Sequence, residues 1–133
     1  MLGLINGASG DLREKINEWL VLLADKGVQV LIYEIYRSNE QQEINYAQGR
    51  TTPGNIITYA RGGRSKHNQT INGKPASRAF DACPMINNAP TWSKKGEAKE
   101  AWEAMGKAAF QVGLYWGRNF TNMSGDWAHF EIK

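Results

Sequence analysis

Apolar residues recur at helical spacing near the start of the chain. Between about Ser9 and Lys26 they would share one helix face, and these positions are Leu12, Ile16, Trp19, Leu20 and Leu23. Ser9 or Asp11 can serve as the N-cap of this helix, and Gly27 supplies its end. The pattern therefore predicts a first, amphipathic helix.

The pattern then changes to a continuous apolar run. Val28–Tyr36 is rich in β-branched and aromatic residues, which predicts a strand. Ser38 is followed three positions later by Gln41, which is a capping-box pattern. We therefore expect a second helix that runs to about Gln48 and ends at Gly49.

The middle of the chain shows little periodicity. Glycine and proline mark a long loop over Arg50–Lys66, around a short extended piece at Asn55–Tyr59, and loops of this length in a domain are typically functional or disordered. Further turn residues follow at Asn72–Pro75. Arg78–Cys83 then resembles a short strand.

The last third predicts a helix and two strands. Ser93 is a candidate cap for a third helix through about Val112, whose buried side would carry Ala98, Trp102, Met105, Ala109 and Val112. Leu114–Trp116 and Trp127–Ile132 resemble strands joined by a polar turn near 119–125. Because strands and helices do not alternate as in a parallel sheet, we expect an α+β domain with a small antiparallel sheet and about three helices.

Composition favours one folded domain. The chain has 133 residues, of which 41% are hydrophobic and 22% charged, so it can fold by burying apolar surface without a structural metal. A bound metal would therefore be functional. The single cysteine, Cys83, excludes an intrachain disulfide, as is typical of a reducing compartment.

The charge pattern and the N-terminus exclude several classes of partner. The net charge of +3 attracts polyanions only weakly, and no nucleic-acid-binding motif accompanies it, so we expect no nucleic-acid partner. No apolar run approaches the roughly 18 to 20 residues that span a bilayer, so we expect no membrane insertion. The N-terminus lacks the pattern of a signal peptide.

Three residues are candidates for metal chemistry. His67 ends the glycine-containing loop, Asp81 lies in an apolar strand, and His129 lies on the last strand. Two imidazoles and one carboxylate are a common catalytic zinc set that leaves the fourth position for water. Each residue alone has another explanation, since a histidine is commonly a surface or hydrogen-bonded residue. Asp81 also fits as a partner for Arg78 or as a turn cap.

Cys83 is an alternative ligand. It lies two positions after Asp81, on the same face of the predicted strand, and its thiolate could take the place of Asp81 at zinc. A buried, inert cysteine is the simpler interpretation.

Five segments together resemble one known family. They occur in family order and are Tyr36-Arg37-Ser38 with Gln41, the run from Tyr46 to Gly54, Ser65-Lys66-His67, the run from Ser77 to Asp81, and the run from Asp126 to Glu131. Over nearly its whole length the chain resembles the zinc D-alanyl-D-alanine carboxypeptidase family, and within it the bacteriophage endolysins that are L-alanyl-D-glutamate peptidases. The resemblance implies the hedgehog/DD-carboxypeptidase-like zinc peptidase fold.

The resemblance implies a role for each matching position. His67, Asp81 and His129 match the three ligands of one zinc ion. Asp126 matches the catalytic carboxylate, which takes a proton from the zinc-activated water and passes it to the leaving amine. Arg37 matches the arginine that binds the substrate carbonyl oxygen and the developing oxyanion.

Three further residues are weaker candidates for the substrate site. Ser65 and Gln41 lie in matching surroundings and are expected to contact substrate or to support the ligands. Trp127 is either a glycopeptide contact or part of the core, and the same alternatives apply to Trp116. Glu131 is expected only to pair with a neighbouring basic residue.

The predicted roles set two geometric requirements that the folded chain must meet. Asp126 and His129 are an odd number of positions apart, so a bend or bulge near Gly125 must turn the aspartate toward the metal. The aspartate ligand also follows His67 at a greater distance than in close relatives. The extra segment, about Gln69–Lys74, must therefore loop out without moving either ligand.

The resemblance implies a function with named alternatives. We expect an endopeptidase that cuts the L-alanyl-D-glutamate bond of peptidoglycan stem peptides, with a D-alanyl-D-alanine carboxypeptidase as the near alternative. A non-catalytic zinc-binding module is a third possibility, against which Asp126 and Arg37 argue. We expect a monomer with one catalytic domain over residues 1–133 and no separate cell-wall-binding domain. As a phage lysis enzyme it would stay in the host cytoplasm until holin-mediated release to the cell wall.

Overall fold

Helix α2 (Gly10–Asp25) forms where the first apolar stripe predicts a helix. In this computed structural model, which describes residues 2–119 and 125–133, the hydroxyl of Ser9 caps α2 by accepting a hydrogen bond from the Leu12 amide. A short helix that the sequence pattern did not predict, α1 (Leu2–Ile5), precedes it.

The other two helices differ in how well their starts were predicted. Helix α3 (Asn39–Ala47) begins after Ser38, whose hydroxyl accepts from the Gln41 amide as expected. Helix α4 (Gly96–Val112) begins after Lys95, so the predicted cap at Ser93 is wrong. Gly96 has a left-handed φ of 58°, and a regular helix cannot continue back through that conformation.

The strands of the described residues form an antiparallel sheet and a separate hairpin. The sheet has the order β1-β4-β7-β6, with β5 paired to the end of β4, and the hairpin pairs β2 with β3. The strands are β1 (Val30–Glu34), β2 (Thr70–Ile71), β3 (Lys74–Pro75), β4 (Ala79–Ile86), β5 (Ala89–Pro90), β6 (Tyr115–Trp116) and β7 (His129–Glu131). The predicted α+β class with a small antiparallel sheet is confirmed.

Several strand boundaries differ from the sequence prediction. The first strand is shorter than Val28–Tyr36. The segment Asn55–Tyr59 lies in the long loop, where it was predicted, and belongs to no strand. The C-terminal strand starts at His129, because Trp127 and Ala128 belong to a turn. Part of the predicted turn near 119–125 lies outside the described residues.

The extra segment between the two predicted ligands forms the β2–β3 hairpin. Its turn residues Asn72 and Gly73 both have positive φ, of 52° and 75°, as a tight hairpin turn requires. The Ala76 amide donates to the Gln69 carbonyl at 2.9 Å, so the chain returns to the point where it left. The segment loops out as the sequence pattern demanded.

Aromatic packing aligns the two central strands. Trp19 of α2 lies with its ring centroid 5.1 Å from those of both Phe80 on β4 and Phe130 on β7, and all three side chains are fully buried. The Trp19 indole N–H donates to the Met105 carbonyl of α4 at 3.0 Å. Helices α2 and α4 therefore pack on the sheet face that carries Phe80 and Phe130. No helix among the described residues has the length and apolar character needed to cross a membrane.

Candidate metal and catalytic site

The sheet face opposite the aromatic core brings two predicted ligands together. Phe80 and Phe130 are cross-strand partners, and so are the next pair, Asp81 and His129. Because side chains alternate between the two faces of a strand, Asp81 and His129 point away from the core on the same side. The aromatic register therefore also sets the register of the candidate site.

A short capped turn places His67 beside this pair. His67 lies in a 3-10 turn over Lys66–Asn68, and the Ser65 hydroxyl accepts from the His67 amide at 3.2 Å. The Asn68 side chain accepts from the Ser65 amide and donates to the Arg37 carbonyl at 2.7 Å. Arg37 and His67 are thus tied together through their backbones.

Three donor atoms converge. His67 Nε2 lies 3.2 Å from Asp81 Oδ1 and 3.3 Å from His129 Nδ1, and the last two atoms are 3.6 Å apart. Tetrahedral zinc with bonds of about 2.0–2.1 Å separates its ligand atoms by about 3.3–3.4 Å. The spacing of these nitrogen and oxygen atoms therefore fits a single zinc ion.

The opposite ring nitrogens of both histidines are held by acceptors. His67 Nδ1 lies 2.7 Å from the Ile35 carbonyl oxygen, and since a carbonyl can only accept, Nδ1 carries the proton. His129 Nε2 lies 2.8 Å from Glu131 Oε1, and Lys66 holds the other oxygen of Glu131 at 2.6 Å. These contacts aim His67 Nε2 and His129 Nδ1 at the common point, as in known metal sites.

The electrostatics of the metal-free cluster favour cation binding. Burial alone would raise the pKa of Asp81, but hydrogen bonds from His129 and His67 hold it well below its usual range. Burial alone would lower the pKa of His129, but Asp81 and Glu131 outweigh this effect and raise it from 6.5 to about 9. Without metal, His129 is therefore protonated at neutral pH, and this proton supplies the positive charge that a bound cation would otherwise supply.

Asp126 lines the same cavity, which has a volume of about 530 Å³. Gly125 has a left-handed φ of 87°, and the Asp126 amide donates to the Gly117 carbonyl at 2.7 Å. The His129 amide donates back to the Asp126 carbonyl at 3.2 Å, which closes a turn. This is the bend that the odd spacing demanded. Burial, aided by the charge of Asp81, raises the pKa of the Asp126 carboxyl, as suits a group that both accepts and donates a proton.

Arg37 lies between two carboxylates. Its Nη2 lies 3.2 Å from Asp81 Oδ2, while its Nε donates to Glu34 Oε1 at 2.7 Å, and Nη2 contacts the same Glu34 oxygen. The register of β1 against β4 shifts between Ile32 and Glu34, so that a bulge at Tyr33 sets Glu34 directly opposite Asp81. Two carboxylates placed opposite each other repel, and the guanidinium between them removes that repulsion.

Gln42 and Glu34 are site residues that the sequence analysis missed. Gln42 is fully buried, accepts from Arg37 Nη1 at 2.8 Å, and donates to the Ala60 carbonyl, which ties α3 to the long loop. Nothing in the sequence pattern marks this glutamine as buried. Glu34 did give a signal, because it is a charged residue in an otherwise apolar strand, as is Asp81.

The weaker candidates occupy different places. Ser65 lines the cavity, whereas Gln41 is exposed and donates to the Asn45 side chain, which does line it. Trp127 lines a second, adjoining groove. Glu131 pairs with Lys66 as expected, and it also binds the ligand-type residue His129, a role that the sequence did not indicate.

Cys83 takes no part in the cluster. It is fully buried in the core, where burial raises the pKa of its thiol. The metal-ligating group found among the described residues consists of His67, Asp81 and His129. The partner of Asp81 is Arg37 and not Arg78.

The chain is similar in sequence to a curated relative. It is 36% identical over 108 residues to the peptidoglycan L-alanyl-D-glutamate endopeptidase CwlK of Bacillus subtilis (strain 168). The matched region covers 81% of this chain and 59% of the relative, so the chain spans about three fifths of that protein's length. The chain belongs to the D-alanyl-D-alanine carboxypeptidase family of peptidases. No profile of a protein family matches the chain.

Solved structures show that this family's fold is present. The L-Ala D-Glu endopeptidase ChiX of Serratia marcescens matches with a TM-score of 0.62 and 18% identity, covering 98% of this chain and 84% of that one. The vancomycin-resistance D,D-pentapeptidase VanY of a VanB-type cassette, solved with Zn(II), matches with a TM-score of 0.64 and 14% identity. It covers 94% of this chain and 72% of that one. At these identities the similarity concerns the fold.

We predict that zinc binding releases a proton and strengthens as the pH rises. A folded-state pKa of about 9 for His129 means that the metal must displace its proton at any pH below that value. Calorimetric titration of the metal-free protein in buffers of different ionisation enthalpy should show proton release at pH 7 and less of it near pH 9.

The same preparation tests the ligand set by elemental analysis. Wild type and Cys83→Ala should carry one equivalent of zinc, and His67→Ala should lose it. Retention of zinc by His67→Ala, or its loss in Cys83→Ala, would contradict the assigned ligands.

We predict that Glu34→Gln lowers peptidase activity by about 10- to 100-fold, the range typical of groups that orient metal ligands. The neutral amide cannot balance Arg37 against Asp81, so the guanidinium shifts toward the metal ligand. Zinc content should stay at the wild-type level. Glu18→Gln, which removes an exposed carboxylate paired with Lys15 on α2, is the matched control and should change activity little. Wild-type activity in Glu34→Gln would remove this residue from the site.

Proposed function

We propose that the chain is a zinc-dependent peptidoglycan peptidase that hydrolyses the L-alanyl-D-glutamate bond of stem peptides. The observation that carries the proposal is the convergence of three zinc-type ligand atoms, Asp126 and Arg37 on one open cavity. The 36% identity to CwlK, an endopeptidase for that bond, supports this substrate class. One ion is proposed, because the described cluster has three ligands around one point.

Each residue has a distinct task in the proposed reaction. His67, Asp81 and His129 hold the ion, which when bound would make a water molecule acidic enough to act as a nucleophile near neutral pH. The Asp126 carboxylate accepts the proton of that water and then delivers it to the leaving amine. Its raised pKa favours the first step, because a more basic carboxylate accepts a proton more readily.

Arg37 is positioned to receive the negative charge that develops on the carbonyl oxygen. Its contacts with Glu34, Asp81 and Gln42 use Nε, Nη2 and one hydrogen of Nη1. The second Nη1 hydrogen is available to a substrate oxygen, since a guanidinium has five N–H donors. A rigidly held cation at this place stabilises the transition state more than a mobile one.

The shape of the site favours an endopeptidase over a carboxypeptidase. The cavity adjoins a second groove, with which it shares Ile57 and Asp126. A bond in the interior of a chain needs space on both sides of the cleavage point, whereas removal of a terminal D-alanine needs a closed end. The carboxypeptidase remains the alternative that the product analysis below distinguishes.

We predict that the zinc-loaded protein releases new D-glutamate amino termini from purified peptidoglycan. Dansylation or mass spectrometry of the digest identifies these termini, and release of free D-alanine instead would establish the carboxypeptidase. Asp126→Ala should keep its zinc and lose at least about a hundredfold in rate, because a general acid–base residue contributes that much or more. Undiminished cleavage by Asp126→Ala would exclude Asp126 from the mechanism, and no cleavage by wild type would refute the proposal.

The endolysin resemblance extends this proposal to phage lysis. The enzyme would accumulate as a monomer in the host cytoplasm and reach the cell wall after a holin opens the membrane. Expression together with a holin should lyse the culture, and expression alone should not. Lysis without a holin would contradict this route of release.

A further inference from the structure

A groove of about 420 Å³ continues from the catalytic cavity. We call its side chains Ile56, Ile57, Trp92, Lys94 and Trp127 the aromatic arm. The arm adjoins the catalytic cavity at Ile57 and at Asp126, the proposed acid–base residue. A substrate that extends beyond the cleavage point on this side would therefore enter the arm.

The arm exposes large apolar side chains next to the site. Trp92 is 54% exposed, and Ile56 and Ile57 are each 43% exposed. An exposed apolar cluster of this kind at the rim of a cavity is typical of a ligand-binding surface. The Trp127 ring is covered in part by Lys94 and Arg118, whose charged ends lie 5.1 Å and 4.5 Å from its centroid. Trp92 is therefore the ring that offers most free surface to a ligand.

Tyr33 holds Trp92 in place. The Trp92 indole N–H donates to the Tyr33 hydroxyl at 3.4 Å, and the two rings meet edge to face with centroids 5.8 Å apart. Tyr33 is the residue at the bulge of β1. Burial, with the charges of Asp81 and Asp126 adding to it, raises the pKa of Tyr33 to about 12. The aromatic pair thus lies beside the catalytic carboxylates.

The catalytic cavity is lined by charged groups of both signs, whereas the aromatic arm is largely apolar. Arg64 lines the cavity, and its guanidinium forms no ion pair with any residue in the described part of the chain. Lys66, its neighbour in the lining, is paired with Glu131. Arg64 is therefore the lining cation that remains for an anionic substrate group.

The substrate also differs on the two sides of the proposed scissile bond, with an apolar sugar face on one side and a charged group on the other. On the amino side, one L-alanine separates the bond from the lactyl ether and pyranose ring of an N-acetylated amino sugar. On the carboxyl side, the γ-linked D-glutamate carries a free α-carboxylate. A pyranose presents a face of C–H groups that packs on an indole, with polar groups at its edge. A carboxylate fits the guanidinium.

We propose that the aromatic arm binds the muramyl sugar to which the stem peptide is attached, while Arg64 binds the D-glutamate α-carboxylate. This inference rests on the proposed function, because it presumes cleavage one residue from the sugar. It makes the enzyme selective for stem peptides that are still joined to the glycan.

The test compares two soluble substrates with the zinc-loaded enzyme. One is an N-acetylmuramyl stem peptide, and the other is the same peptide with an acetyl group in place of the sugar. We expect wild type to cleave the muramyl peptide with a kcat/KM about five- to tenfold higher, the size that one well-placed aromatic contact contributes. The difference should lie in KM.

Trp92→Ala should remove this preference and leave cleavage of the acetyl peptide unchanged. Phe110→Ala is the matched control, because Phe110 is an exposed aromatic, 85% accessible, outside both the cavity and the arm. It should keep the preference. Arg64→Gln should lower kcat/KM for both substrates equally, since both carry the D-glutamate carboxylate.

Three results would overturn the inference. They are equal cleavage of both substrates by wild type, an equal loss on both substrates in Trp92→Ala, and a loss confined to the muramyl peptide in Arg64→Gln. Cleavage of neither substrate would instead count against the proposed function. In that case, binding of N-acetylmuramic acid, followed by tryptophan fluorescence in wild type and Trp92→Ala, tests the arm separately. Absence of a wild-type signal, or an equal signal in Trp92→Ala, would overturn it.

Discussion

The pairing of β4 with strands on both of its sides decides where the reactive groups lie. Asp81 is opposite His129 on one side and opposite Glu34 on the other. With Asp126 and Glu131, four carboxylates gather here, whereas Arg37 and Lys66 are the cations among the residues that contact them. With neutral histidines, two negative charges are left over. A divalent ion at the candidate site would balance this charge, which the proton on His129 balances in part without metal.

The pairing register of β4 with β7 places the aromatic core on one face of the sheet and the candidate site on the other. Trp19 packs on Phe80 and Phe130, which fixes β4 against β7 from the helix side. The next residue on each strand, Asp81 on β4 and His129 on β7, is a candidate metal ligand on the other face. A slip of one residue would turn both ligands into the core and both phenylalanines toward solvent. The precision of the ligand geometry therefore depends on side chains that never contact substrate.

Much of the architecture follows from local sequence. The stripe from Leu12 to Leu23, the caps at Ser9 and Ser38, and the apolar positions from Ala98 to Val112 locate three helices because each signal depends on residues close together in the chain. The three residues of the candidate metal site were predicted because the histidines lie in recognisable motifs. Helix α1 and the true start of α4 were missed. The start of α4 follows from the left-handed φ of Gly96, which the pattern of residue types does not reveal.

The parts that were missed depend on contacts between distant segments. The bulge at Tyr33 arises from the pairing of β1 with β4 and leaves no trace in the residues of β1 alone. Gln42 is buried because the long loop folds over α3 and offers it the Ala60 carbonyl. Contacts between segments far apart in the chain are set by the folded structure, and the pattern of residue types along the chain does not reveal them.

The β2–β3 hairpin leaves and re-enters the fold at nearly one point. The Ala76 amide meets the Gln69 carbonyl, and Ser77 is bonded to the chain before α2 through its amide and carbonyl, so the frame around both ligands is closed without the hairpin. The number of residues between His67 and Asp81 is thus no measure of their distance in space. A search pattern with a fixed gap between histidine and aspartate would overlook proteins of this kind. A pattern that allows an insertion between the hydrogen-bonded positions Gln69 and Ala76 would retrieve them.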